Sequence, residues 1–357
     1  MTKTTTRWGI VGTGSVAALF AEGLADAPGA RITAITSRSP ERGSAFASRF
    51  GVRRTHASVD ALADDGEVDV VYAATPNAEH HATVRTLLQA GKPVVCEKPF
   101  TLDAAEAREL VALARAKRTF CMEAMWTRFM PAVRELVDRV RAGELGEVRA
   151  ATLEMGHPFV FDASLPLFAA RSGGALLDLG PYAVSLALLL FGQPTRVESA
   201  AAFGSSGVDE HVSALLTHAD GQVSTLAVSL RTRLSNGASV AGTHGFARLH
   251  DPLYRPEALS IVRSPPIAID RSAGPGATTT LRHRLRGAVS ATRALVSPLP
   301  GGRTLLRPCH GNGYQYQAIE AMRCIHAGEL ESPIMPLDAT VQVMQTLDAI
   351  REGWKKP

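Results

Sequence analysis

Short apolar runs alternate with segments of helical period through the first third of the chain. Thr6-Arg7-Trp8-Gly9-Ile10 predicts a strand, and a helix follows from about Ser15. Arg31–Thr36 predicts a second strand at the spacing a βαβ unit requires. Val68–Ala74 is a continuous apolar run with β-branched residues, as expected of a strand buried on both faces. Glu79–Ala90 reads as a helix that ends at Gly91, and Pro93–Cys96 as the next strand. Asp103 is placed to cap a helix running to about Lys117, with Glu106 three residues on, as in a capping box. Thr119–Met122 closes the series. This succession predicts a parallel, doubly wound Rossmann sheet over residues 1–123.

The pattern changes after Glu123. A helix over Pro131–Ala142 leads into strands of alternating character at Val148–Met155, Thr195–Phe203, His211–Thr217, Gln222–Leu230 and Ser239–Thr243. Turn signals such as Asp220-Gly221 separate them, as in an antiparallel sheet. One helix, Ala175–Phe191, interrupts the strands. Residues 251–312 are rich in Pro, Gly and Arg without a clean period and read as irregular. Residues 313–354 are again helical, with Gly328 as a stop. Residues 124–357 are therefore expected to form a second, α+β domain. It would carry a large, open, mostly antiparallel sheet covered by helices on one face. The length of 357 residues agrees with about two domains, at ~150 residues each.

Composition narrows the function classes. The net charge of +4 comes mostly from dispersed arginines, with one cluster from Arg282 to Arg307. No helix-turn-helix, zinc-finger or RNP pattern accompanies it, which argues against a nucleic-acid partner. The four cysteines, Cys96, Cys121, Cys309 and Cys324, show no CxxC spacing, and the start of the chain has no secretory pattern. Reduced thiols, a cytoplasmic location and no metal site are expected. The most apolar run, Ala183–Phe191, is shorter than the ~20 residues a membrane span needs.

The first candidate chemistry lies in Val11-Gly12-Thr13-Gly14-Ser15-Val16-Ala17. Gly12 permits a tight turn, and Gly14 lets the backbone approach a pyrophosphate. Ala17 allows close helix–sheet packing, and the helix start at Ser15 and Val16 faces the negative charge. The second strand ends at Thr36-Ser37-Arg38-Ser39, with Arg42 one helical turn on. An NAD site usually carries a carboxylate there, which would repel a 2′-phosphate. A hydroxyl with a guanidinium fork would bind one, so Ser37, Arg38 and Arg42 favour NADP, with NAD as the alternative.

Two further signals fall at the carboxyl ends of parallel strands, where such sheets bind ligands. One is Thr75-Pro76-Asn77-Ala78-Glu79-His80, offering Thr75, Pro76, Asn77 and His80 to the cofactor; the other is Glu97-Lys98-Pro99. A third, Gly173-Gly174-Ala175-Leu176-Leu177-Asp178-Leu179-Gly180-Pro181-Tyr182, opens a helix. Asp178 and Tyr182 are four apart, which places both on one helical face. Asp178 in an apolar helix needs a partner, for which Lys98 is the candidate. An ammonium beside Tyr182 would lower the phenol pKa and make it a proton carrier.

In this order, GxGxxA, Thr-Pro-Asn-x-x-His, Glu-Lys-Pro and Gly-Gly-x-x-x-Asp-x-Gly resemble the glucose–fructose oxidoreductase/inositol dehydrogenase/MocA family over nearly the whole chain. Tyr182, where many members carry His, is similar to the dimeric dihydrodiol dehydrogenase branch. So are Glu123-Ala124-Met125-Trp126-Thr127-Arg128-Phe129 and Glu331-Ser332-Pro333. The resemblance implies that Lys98, Asp178 and Tyr182 are catalytic and that Trp126 and Arg128 lie near nicotinamide and substrate. Gly156-His157-Pro158 departs from that branch and makes His157 a candidate for substrate contact.

The expected reaction is reversible hydride transfer between NADP(H) and a carbinol carbon of a sugar, polyol or cyclic diol. Tyr182 would act as general acid–base, Lys98 would hold the substrate oxygen and Asp178 would orient Lys98. The alternatives are a glycosidase-type enzyme of the same family that retains its cofactor, and a non-catalytic NADP-binding regulator. The small residues on one face of Gln222–Leu230 suit sheet-on-sheet packing with a second copy, as a homodimer or a tetramer.

Overall fold

The computed structural model describes residues 5–264, 266 and 302–354. β1 (Thr6–Val11) buries Trp8, Ile10 and Val11 and lies at the centre of a six-stranded parallel sheet. Around it run β2 (Ala30–Thr36), β3 (Arg54–His56), β4 (Val70–Ala73), β5 (Val94–Cys96) and β6 (Cys121–Glu123), in the order β3-β2-β1-β4-β5-β6. The connecting helices are α1 (Ser15–Ala25), α2 (Pro40–Phe50), α3 (Val59–Ala63), α4 (His80–Gln89) and α5 (Ala104–Lys117). Asp103 caps α5 as the sequence suggests, accepting from the Glu106 amide at 2.9 Å, while the Glu106 carboxylate accepts from the Leu102 amide, one residue before the cap, and not from Asp103. α2 and β3 escape the periodicity. Their start is marked only by Ser39, whose hydroxyl accepts from the Arg42 amide, followed by Pro40.

The second sheet is assembled after α6 (Pro131–Arg141). β7 (Val148–Gly156) leads through α7 (Ala175–Asp178) and α8 (Gly180–Phe191) to β8 (Pro194–Phe203), β9 (Asp209–His218), β10 (Val223–Ser229), β11 (Ala238–Gly242), β12 (Gly245–Leu249), β13 (Ala258–Arg263) and β14 (Gly302–Leu306). Eight strands form an open sheet in the order β14-β13-β12-β11-β7-β10-β9-β8. It is mostly antiparallel, but β7 and β10 pair in parallel, with Leu153 opposite Leu226.

Two expectations need correction. The segment 251–312 is not irregular throughout, because β13 and β14 pair at its two ends. Only Gly302–Arg307 of the arginine cluster belongs to the described residues, and the rest of it lies outside them. The predicted helix Ala175–Phe191 is two helices. Pro181 has no amide hydrogen for the Leu177 carbonyl, so the ladder breaks there. Tyr182 N instead donates to Leu179 O at 3.3 Å.

α9 (Tyr314–His326) packs on α1, and α10 (Leu337–Glu352) lies between α5 and α8. Asn312 Nδ2 donates to Leu19 O at 2.7 Å, and the Ala104 amide donates to the Asp348 carboxylate at 2.8 Å. The C-terminal helices thereby tie the two sheets together. On the face of the large sheet away from the helices, Ala150, Thr152, Ser213, Leu215 and Thr225 are exposed. No helix among the described residues is long and apolar enough to cross a membrane.

Candidate active site

A cleft of about 560 Å3 opens at the carboxyl ends of β1, β2, β4 and β5. Its floor is the β1–α1 turn. Gly12 has φ +105°, and a Cβ there would collide with the Ala74 carbonyl oxygen. Gly14 has open space where a Cβ would be. Ser15 and Val16 start α1, whose first turn carries no acidic side chain. The exposed amides and the helix dipole therefore favour an anion. The hydroxyls of Thr36 and Thr75 are buried in the lining without a hydrogen-bond partner among the described residues. Uncommitted donors beside an anion-binding turn fit a dinucleotide.

Ser37, Arg38 and Arg42 line the far end of the cleft. Ser37 Oγ donates to Ser39 O at 2.9 Å, while the largely exposed Arg38 guanidinium reaches Glu79 at 2.9 Å. Pro76 and Asn77 line the opposite wall, and Asn77 Nδ2 donates to Ser172 O at 3.0 Å, joining the β4 loop to the entry of α7. His80 is buried, with Nδ1 2.8 Å from Pro99 O and Nε2 2.9 Å from Thr75 O. Burial holds its pKa below the ordinary value against the pull of these two carbonyls. His80 thus orders the wall, with both ring nitrogens facing backbone carbonyls and the neutral ring donating to one of them.

Lys98 stands where this cleft meets a second cavity of about 520 Å3. The peptide bond to Pro99 is cis. Behind Lys98, the buried Tyr72 hydroxyl donates to Glu97, whose other oxygen accepts from the Lys98 amide at 3.1 Å. The Lys98 ammonium donates to Asp178 O at 2.8 Å and Asp178 Oδ1 at 3.2 Å, and lies 4.9 Å from the centre of the Tyr182 ring. Burial opposes its charge, but Asp178, Tyr182 and Glu97 outweigh this and raise its pKa.

Asp178 and Tyr182 converge on Lys98 although the helix breaks between them. Gly174, at φ +103°, opens α7, and the buried Asp209 carboxylate accepts from the Leu176 amide at 2.7 Å. Tyr182 then projects from the first turn of α8, where Trp126 Nε1 donates to its oxygen at 3.3 Å. Burial raises the Tyr182 pKa and exceeds the opposing effect of the Lys98 ammonium. The sequence expectation of a lowered phenol pKa is thereby reversed, because it weighed the charge without the burial.

Trp126 and His157 line the second cavity with Tyr182. Trp126 is stacked between Tyr314 (ring centres 4.4 Å apart) and Tyr254 (5.7 Å). Arg128 corrects the expectation carried by its neighbour. It lines neither cavity; its guanidinium is buried against Ser185 Oγ at 2.7 Å, Ser185 O and Ile334 O, and burial lowers its pKa to about 10. The sequence reading also missed Tyr254, Arg255 and Tyr314, which line the second cavity. Two of them lie in the stretch without periodicity, and no local signal marks them.

The residues 6–125 match the model of an oxidoreductase family with an NAD-binding Rossmann fold, and residues 133–248 match the GFO/IDH/MocA C-terminal domain. The chain belongs to the GFO/IDH/MocA oxidoreductase family. Among its relatives, the trans-1,2-dihydrobenzene-1,2-diol dehydrogenases of Bos taurus and Homo sapiens are each 32% identical over 351 residues, covering 97% of this chain and 96% of theirs. Solved structures share the fold. An aldose-aldose oxidoreductase from Caulobacter crescentus gives a TM-score of 0.81 at 22% identity, covering 98% of this chain and 97% of that one. A 3-ketoreductase from Actinomadura kijaniata, in complex with NADP and TDP-benzene, gives 0.79 at 24% identity and 98% coverage of both. As an oxidoreductase of this family, the chain uses a nicotinamide dinucleotide.

Proposed function

We propose that this oxidoreductase transfers a hydride between NADP(H) and a carbinol carbon of a sugar, polyol or cyclic diol. The observation that carries this reading is the position of Lys98, paired with Asp178 and over Tyr182, at the junction of the dinucleotide cleft and an aromatic cavity. The bound nicotinamide supplies the hydride acceptor or donor. Lys98 holds the substrate oxygen and stabilises negative charge developing on it. Tyr182 moves the hydroxyl proton: its oxygen already accepts from Trp126, which leaves its own hydrogen for the substrate. Asp178 keeps the ammonium aimed. Gly12, Gly14, Ser15 and Val16 would hold the pyrophosphate, Thr75, Pro76, Asn77 and Glu97 would flank the nicotinamide half, and His157 and Trp126 would contact substrate. The dihydrodiol dehydrogenase relatives support a cyclic diol among these substrates.

The preference for NADP rests on Ser37, Arg38 and Arg42, with no carboxylate at the end of β2. NADP is expected to bind at least about tenfold more tightly than NAD, equivalent to ~1.4 kcal/mol. Titration of the apoprotein with each nucleotide measures the ratio, and equal affinities would overturn the preference.

Residues 1–123 are proposed as the cofactor domain and 124–357 as the substrate and dimerisation domain of a cytoplasmic protein. The small, exposed residues of β7, β9 and β10 support a homodimer through the large sheet. Light scattering at micromolar concentration is expected to give the mass of two subunits or a multiple of it. A single-subunit mass would remove the dimer.

A further inference from the structure

The cavity that holds Tyr182 carries a charge the proposed chemistry does not use. Arg255 lines it, on the loop between β12 and β13. The side chain is half-buried, and its guanidinium makes no hydrogen bond or ion pair with the described residues. Lys98 and Asp178, the other two fully charged groups of the cavity, lie 3.2 Å apart and offset one another. Among its described lining residues the cavity therefore holds a surplus positive charge. Neighbouring arginines are committed elsewhere: Arg233 to Asp251, Arg231 to Glu210 and Arg307 to Glu135.

The loop that presents Arg255 is anchored. Thr127 Oγ1 donates to Tyr254 O at 2.8 Å, the Arg255 amide donates to Pro252 O at 2.9 Å, and the Arg233–Asp251 pair holds the loop's start. A half-buried guanidinium without a partner is costly, and a bidentate anion offsets that cost better than water does. Beside it, the partly exposed Tyr254 ring, backed by Trp126, offers flat apolar surface, which suits the C–H face of a sugar ring. Arg255 does not line the dinucleotide cleft, so the cofactor phosphates are not its partner.

We propose that this cavity takes an anionic carbohydrate, with a carboxylate or phosphate in the fork of Arg255 and the carbinol toward Lys98 and Tyr182. The orientation of the carbinol rests on the hydride-transfer reading above; the anion subsite does not. The reaction balances: the C–H bond yields a hydride to the oxidised nicotinamide, the O–H proton passes to the phenolate form of Tyr182 to give the phenol, and the anionic group is unchanged.

The test compares D-glucose, D-glucuronate and D-glucose 6-phosphate with the NADP-loaded protein, by calorimetric binding and by NADPH formation, for the parent and Arg255→Met. At least one anion is expected to bind about tenfold or more tightly than glucose, and the ratio should collapse toward one in Arg255→Met. Arg255→Lys should keep part of the preference, since it keeps the charge without the fork. Preference for the uronate marks a carboxylate subsite, and preference for the phosphate ester marks a phosphate subsite. Glucose binding as well as both anions, or an anion preference that survives Arg255→Met, would overturn the inference. NADPH formation from glucose alone would then leave the hydride-transfer reading standing. Conversely, Arg255-dependent anion binding without NADPH formation from any of the three would count against hydride transfer on sugars and uphold the subsite.

Discussion

Replacing Lys98 by Met, or Tyr182 by Phe, is expected to lower turnover about 100-fold or more while changing NADP affinity little, since positioned acid–base groups contribute roughly 10²–10⁴. Lys98 Nζ touches Asp178 and the face of Tyr182, not the pyrophosphate turn, so its loss removes charge from the reacting oxygen. The pH dependence separates the two residues. Burial raises the Tyr182 pKa, so the phenol form dominates at neutral pH. Reduction of a carbonyl uses that form and should be flat across neutrality. Oxidation needs the phenolate as proton acceptor, so its rate should climb with pH, by about tenfold per unit, until the raised pKa is reached. In Tyr182→Phe the climb should vanish. Steady-state rates in both directions against pH decide this, and a Tyr182→Phe enzyme with near-normal turnover would remove Tyr182 from the chemistry.

A second large effect is expected on stability at Glu123, at the end of β6. Its carboxylate accepts from the Phe100 amide at 3.2 Å, but Oε2 is buried without a hydrogen-bond partner among the described residues. Burial pushes its pKa up to about 7, against the opposing effects of the Arg128 charge and the Phe100 amide. The sign follows from linkage. The folded carboxyl keeps its proton where the unfolded one has lost it, so stability falls as pH rises from the unfolded value near 4.5 to about 7, then levels off. At ~1.4 kcal/mol per unit, the ceiling is roughly 3 kcal/mol. Glu123→Gln removes the titration. The variant should therefore gain on the parent between pH 5 and about 7 in thermal melts, and hold that gain to pH 8. A constant difference across that range would contradict a raised Glu123 pKa.

The first sheet was legible because its signals are local. Trp8, Ile10 and Val11 lead directly into Gly12 and Gly14, and the runs at Val70–Ala73 and Val94–Cys96 are apolar on both faces. The site residues Lys98, Asp178 and Tyr182 were named from short motifs, and the structure brings them into contact. What escaped is set by distant partners. The direction of Arg128 depends on Ser185 and on Ile334, 206 residues away. The parallel pairing of β7 with β10 joins segments some 70 residues apart, which alternation within each strand does not encode. Tyr254 and Arg255 enter the second cavity from a loop fixed by Thr127. The break between α7 and α8 was readable, since Pro181 bars a continuous helix.

Isotope transfer tests the central claim most directly. The protein is incubated with NADP and a sugar, polyol or cyclic diol substrate deuterated at its carbinol carbon, and the reduced cofactor is isolated and weighed by mass spectrometry. Direct hydride transfer requires reduced NADP that carries the deuterium, formed in proportion to carbonyl product. Deuterium released to water, or substrate consumed with the cofactor left oxidised and unlabelled, would contradict it.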